Sequence, residues 1–190
     1  MKATDWKTFL ATWTREMAAR TTRNPNEPRV IDPANGLGFP GATDAQIKAS
    51  EERLGVALPP SYIEFLKATN GLQQPFSYVA ACGGDFWPST DVDWFGVRNA
   101  EWIDAYEGVD DAAGRVGPDR FVEELRGTLE LSHGGDSAVY LLNPRVTGDD
   151  GEWEAWFFAT WSPEVERFRS FEQMMRTRYW QFGEGVSTGF

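Results

Sequence analysis

Between Thr43 and Gly71 the chain carries a start and a stop signal for each of two short helices, with a proline elbow between them. Thr43-Asp44-Ala45-Gln46 reads as a capping box, in which the Thr43 hydroxyl accepts from the Gln46 amide and the Gln46 side chain reaches back. Ile47 and Leu54 fall on one face of the helix that follows, and Gly55 sits where a left-handed cap would end it. Leu58-Pro59-Pro60 then opens a second helix, because a proline in the first turn gives up no needed hydrogen bond. Tyr62, Phe65, Leu66 and Thr69 form its buried stripe, and Asn70-Gly71 ends it, since both residues tolerate positive φ. A chain with this segment is committed to a compact helical hairpin that needs an apolar surface to cover.

The rest of the chain supplies that surface. Trp6, Phe9, Leu10, Trp13 and Met17 share one helical stripe over residues 5–20, with Thr4 as the expected N-cap. Four prolines and three glycines between Thr21 and Gly41 mark a connecting loop. Short strands are expected at Ser77–Ala81 and Asp93–Val97. A short helix carrying Trp102, Ile103 and Tyr106 is expected to be capped by Asn99, and a helical turn at Phe121–Leu125 to be stopped by Gly127. Clearer strands follow at Thr128–Ser132, Ala138–Asn143 and Trp153–Thr160, the last two joined by the Gly148-Asp149-Asp150-Gly151 turn. Both faces of the 153–160 strand are apolar, which places it in the sheet interior. A last helix opens at Ser170 with a second capping box to Gln173, and its apolar face is Phe171, Met174, Met175, Tyr179 and Phe182. Strands joined in sequence by tight turns are antiparallel, so the fold class is α+β. The expected organisation is a helix and Pro/Gly-rich loop at 1–42, a main domain at 43–182 and a tail at 183–190.

Charge is unevenly placed. The net charge is −11, but residues 84–160 alone carry five arginines against seventeen acidic residues, a balance of −12. Such a field repels a phosphate backbone and attracts a basic protein surface. Acidity also serves solubility, and charge alone says nothing of fold. No apolar run reaches the roughly 18–20 residues of a membrane span. The single cysteine, Cys82, excludes an internal disulfide framework and fits a reducing, cytoplasmic setting.

Catalytic chemistry finds little material. His133 is the only histidine and lies in a glycine-rich turn, so the usual zinc spacings cannot be built. Gly36-Leu37-Gly38-Phe39-Pro40-Gly41 matches a dinucleotide fingerprint by letter, but no strand precedes it and Pro40 removes an amide. No cofactor is expected. Carboxylates remain: Asp91, Asp93, Glu101, Asp104, Asp110 and Asp111 lie close in sequence and could hold a hard cation or serve a small hydrolase. The same acids alternate with Trp87, Trp94, Phe95, Trp102 and Tyr106, and aromatic anchors bounded by charge are what interface centres look like. Aromatics under a long loop also serve as core. The expected partner surface is Asp91, Asp93, Trp94, Glu101, Trp102, Asp104, Asp110 and Asp111.

The run from Ile47 to Gly71 resembles the opening signature of the SMI1/KNR4, or SUKH, superfamily, through Ile47, Glu51, Leu54, Gly55, Leu58, Pro59, Tyr62, Phe65, Leu66, Asn70 and Gly71. The stretch Leu131–Asn143 and the Ser170-Phe171 helix start are similar to the family's central hairpin and closing helix. The resemblance implies a six-stranded or similar antiparallel sheet packed with helices, and a protein-binding module without common catalytic residues. It implies an immunity protein that neutralises a toxin domain, here a basic one such as a nuclease, by direct complex formation. A regulatory or scaffold role without a toxin partner is the alternative within the family.

Overall fold

The computed structural model describes residues 5–21, 36–73, 84–104, 120–134, 137–162 and 164–183. Its elements in chain order are α1 (Trp6–Thr21), α2 (Asp44–Leu54), α3 (Pro60–Ala68), β1 (Asp93–Trp94), α4 (Phe95–Arg98), α5 (Arg120–Arg126), β2 (Leu129–Glu130), β3 (Ala138–Thr147), β4 (Trp153–Ala159), β5 (Glu166–Phe168) and α6 (Phe171–Gly183). Five strands lie in the order β1-β2-β3-β4-β5 with every neighbouring pair antiparallel. The α+β class read from the sequence is therefore observed.

The helical hairpin forms as its signals require. Thr43 and Gln46 make the complete capping box, and Gly55 closes α2 at φ 74°. Pro59 caps α3 and Pro60 opens it. The end of α3 is built differently from the expectation. Thr69 stops the helix by turning extended at φ −151°. Of Asn70 and Gly71, only Gly71 takes a positive φ, 104°. The Asn70 carboxamide accepts a hydrogen bond from the Ser89 amide at 2.7 Å, which ties the hairpin exit to a distant loop. The glycine-rich stretch before the hairpin packs against the same exit: Gly38 bridges Leu72, and the Gln73 amide donates to the Leu37 carbonyl at 2.9 Å.

Alternation along the central strands divides the interior into two apolar clusters. Tyr140, Leu142, Ala155 and Phe157 face α1, α2, α3 and α6. Val139, Leu141, Trp156 and Phe158 face the opposite side, where Phe95, Ile103, Val122 and Leu125 cover them. Six of the seven residues of β4 are buried, as expected for a strand apolar on both faces. Trp6, Leu10 and Trp13 of α1 enter the first cluster, with Trp6 edge-on to Phe65 at 5.5 Å and Trp13 edge-on to Tyr179 at 5.8 Å. One carboxylate joins three elements on this side. Glu152, just past the β3–β4 turn, accepts from the Ser61 amide at 2.8 Å and its hydroxyl at 2.6 Å, and that hydroxyl accepts from the Glu172 amide at the start of α6.

Several local expectations are corrected. The expected strand at Asp93–Val97 is only two residues long, because the backbone turns helical at Phe95. Gly96 there lies so close to the end of α5 that an added Cβ would stand 2.7 Å from the Arg126 carbonyl oxygen. Asp5 caps α1, accepting from the Thr8 amide at 3.2 Å, while Thr4 lies outside the described residues. Gln173 reaches back to the Arg169 amide at 2.7 Å, not to Ser170, although Ser170 caps the Gln173 amide as expected. β5 had no apolar run to announce it; with it the antiparallel sheet, implied to be six-stranded or similar, has five strands among the described residues. The expected strand at Ser77–Ala81, the side chain of Phe182 and the tail from 184 lie outside them.

Two glycines separate steric from conformational need. At Gly41 an added Cβ would sit 2.0 Å from the Lys67 carbonyl oxygen, whereas at Gly55 it would meet open space. Gly55→Ala is expected to cost about 1–2 kcal/mol, the penalty of a left-handed alanine. Gly41→Ala is expected to cost more, because backbone must move. Equilibrium urea unfolding of the two variants checks the order.

Candidate partner-binding site

The segment from Asp91 to Asp104 wraps one edge of the sheet and contains six of the eight side chains expected to meet a partner; Asp110 and Asp111 lie outside the described residues, as do Tyr106 and Cys82. The segment is held at its start by α2 and the hairpin exit. Ser50 donates to the Ser89 carbonyl at 2.8 Å, and the Arg53 guanidinium donates to the Val92 carbonyl at 2.7 Å. From there the chain enters β1, turns through α4 and continues into a helical turn at 100–104.

The structure separates the expected aromatics from the expected acids. Trp94 is half-buried against the first cluster. Trp102 is half-buried against the second, with its ring 5.8 Å from Phe95 and 6.1 Å from Phe158. Both tryptophans are thus engaged in packing, on opposite sides of the sheet. Asp93 is half-buried and accepts a hydrogen bond from the Trp94 amide at 2.8 Å. Asp91, Glu101 and Asp104 are exposed. None of these three makes an ion pair among the described residues, as is also true of the exposed Asp149 and Glu164, whereas several other carboxylates are matched, as in Glu123–Arg145, Glu124–Arg167, Asp150–Arg169 and Glu172–Arg176. Val97, between them in sequence, is 69% exposed, the highest value among the exposed large hydrophobic side chains described.

Four residues that sequence reasoning did not group meet beneath this surface. Glu130 in β2 stands opposite Asp93 of β1, and its side chain is 3% exposed. Its carboxylate accepts from the Asn99 carboxamide and from the Trp87 indole N–H at 3.4 Å, with the Arg98 Nε at 3.9 Å. The Arg98 guanidinium lies over the Trp87 ring at 4.6 Å and donates to the Asp91 carbonyl. Asn99 therefore spends its side chain on Glu130 and the Phe95 carbonyl, while its own carbonyl accepts from Trp102 and Ile103. Among the described residues no amide of the 100–104 turn donates to the Asn99 side-chain oxygen, so the expected side-chain cap is not made. His133 is exposed, and its ring lies 3.4 Å from that of Trp87. The available signal was an acid between two leucines, Leu129-Glu130-Leu131, inside an otherwise apolar strand.

Burial raises the Glu130 carboxyl above the ordinary glutamate range; the bonds from Asn99 and Trp87 and the Arg98 charge oppose the rise, and the Asp93 charge adds to it. No group of three or more His, Cys, Asp or Glu side chains among the described residues is arranged to hold a metal ion. Nor is any described helix long and apolar enough to cross a membrane.

The signature residues of the hairpin all have structural work. Ile47, Leu54, Leu58, Pro59, Tyr62, Phe65 and Leu66 are buried. Glu51 accepts from the Leu58 amide at 2.8 Å, locking the elbow, and Gly55, Asn70 and Gly71 act as described above. The family model for the SMI1/KNR4 family (SUKH-1) matches residues 41–177. The chain belongs to that family. The SMI1/KNR4 unit so defined begins at the glycine that touches Lys67 and takes in the hairpin, the whole sheet and most of α6, and α1 precedes it. No curated protein matches the chain.

A raised Glu130 carboxyl has a definite effect on stability. The folded protein keeps this proton to higher pH than the unfolded chain, whose glutamates titrate near ~4.3. The group therefore favours folding most below that pH, and its contribution is lost as pH rises through the folded value. Glu130→Gln is expected to gain stability relative to the wild type as pH goes from about 4 to about 7. Urea midpoints across that range check the trend, and a constant difference would contradict it.

Proposed function

We propose that this SMI1/KNR4 protein is an immunity protein, which binds a toxin domain of basic working surface and blocks it by direct complex formation. The observation that carries the reading is the set of exposed carboxylates Asp91, Glu101 and Asp104, without an ion pair among the described residues, beside the exposed Val97. Carboxylates already paired inside a fold have little field left to offer, whereas unmatched ones attract an opposite surface and raise the association rate. A toxin that cuts nucleic acid must present cations where phosphate binds, so the same acids can compete for its working surface. Asp93, Trp94 and Trp102 support this face from within the fold, and Asp110 and Asp111 extend its acidity in sequence. A regulatory SMI1/KNR4 protein would use the same face on another basic protein.

Co-expression with a toxin domain encoded beside this gene is expected to restore growth, and the two proteins are expected to purify as one complex. Changing Asp91, Glu101 and Asp104 together to lysine should slow association by about tenfold or more at low salt. The urea midpoint should change little, because exposed, unpaired charges contribute little to the fold. Stopped-flow association at low and high ionic strength reads both the mutant and the salt effect. An association rate indifferent to both would remove the acidic face from the interface, and failure to restore growth with any neighbouring toxin would leave the regulatory role.

A further inference from the structure

We infer that Glu130 is a positioning residue for the 91–104 surface, its buried carboxylate acting as an acid-releasable latch on Asn99, Trp87 and Arg98. Two separate pieces of chain converge on this one side chain: the loop bearing Trp87, and the junction where Arg98 ends α4 and Asn99 leads into the 100–104 turn. Each contact uses the ionised form as acceptor or counter-charge. Arg98 carries the hold outward, because the same guanidinium lies over Trp87 and donates to the carbonyl of Asp91. Asp91 and the 100–104 turn are thereby linked to one point in β2, while Ser50 and Arg53 of α2 hold the start of the segment.

Protonation changes all of this at once. A neutral carboxyl no longer attracts Arg98 and accepts more weakly from Asn99 and the indole, so the surface loosens while the sheet below it stays paired. The charged and titratable groups around the latch are Asp93 on β1, Arg98 on α4, and His133 beyond β2 on the Trp87 ring. Asp93 opposes ionisation of Glu130 and Arg98 favours it; burial raises the carboxyl overall. A buried acid whose carboxyl is raised by desolvation takes up its proton at higher pH than an exposed glutamate, so acidification reaches it first. The consequence for partner binding rests on the reading of 91–104 as the partner face; the latch itself does not.

Nuclear magnetic resonance of the full chain tests the latch without any partner. The Trp87 indole N–H and Arg98 Nε–H signals, assigned with Trp87→Phe and Arg98→Lys, are followed from about pH 7 to about pH 4. Both are expected to move together with one midpoint above the ordinary glutamate value. The movement should vanish in Glu130→Gln and persist in His133→Asn. Persistence in Glu130→Gln, loss in His133→Asn, or no movement in the wild type overturns the inference. If Glu130→Gln does not fold, Asp93→Asn decides: the midpoint should fall once the like charge is gone, and an unchanged midpoint overturns the inference.

Discussion

Water must be kept from both faces of β4, and that requirement organises the molecule. Trp156 and Phe158 point one way, Ala155 and Phe157 the other, and all four are buried. A strand of this composition is stable only between two covering layers. The helical hairpin, α1 and α6 supply one layer. The shorter elements α4, the 100–104 turn and α5 supply the other. Among the described residues the second layer carries the smaller apolar cluster, and it is held to the sheet partly by polar contacts: Arg145 to Glu123, Arg167 to Glu124 and the Glu130 cluster. Among the described residues, the acidic surface therefore draws on the layer with the smaller apolar cluster.

This division explains what the sequence could reveal. The hairpin was legible because its signals are local. A capping box, a glycine in the left-handed region and a proline elbow each act within a few residues, and all appear as read. β3 and β4 were legible because alternation and its absence report burial directly. β5 was not, since Glu166-Arg167-Phe168 gains its place by pairing with β4 and owes little to its own composition. The short strand at Asp93 was overextended for a similar reason: a close approach between Gly96 and Arg126 bends the chain, and no neighbouring residue announces it.

The candidate surface was half legible. An acidic segment can be counted from the sequence, and the exposed Asp91, Glu101 and Asp104 lie within it. The role of its aromatics could not be counted in the same way. Trp94 and Trp102 alternate with the acids along the chain, yet they leave the surface for opposite clusters, because a strand and a helix turn follow each other within nine residues. Glu130 lay apart in sequence from the 91–111 acids and joins them through its pairing with Asp93 and through Asn99, Arg98 and Trp87. Long-range polar convergence of this kind has no periodic signature. An ionisable side chain among leucines is the trace it leaves.

Glu152 sets a limit on how the exposed turn before it can evolve. Turn tips ordinarily accept inserted residues at little cost. Here the carboxylate just beyond the tip serves the opening amide of α3 and, through the Ser61 hydroxyl, that of α6. Lengthening the turn would withdraw one anion from two helix starts at once. Length variation among related chains should therefore be tolerated elsewhere on the molecule and suppressed at residues 148–151, despite their exposure.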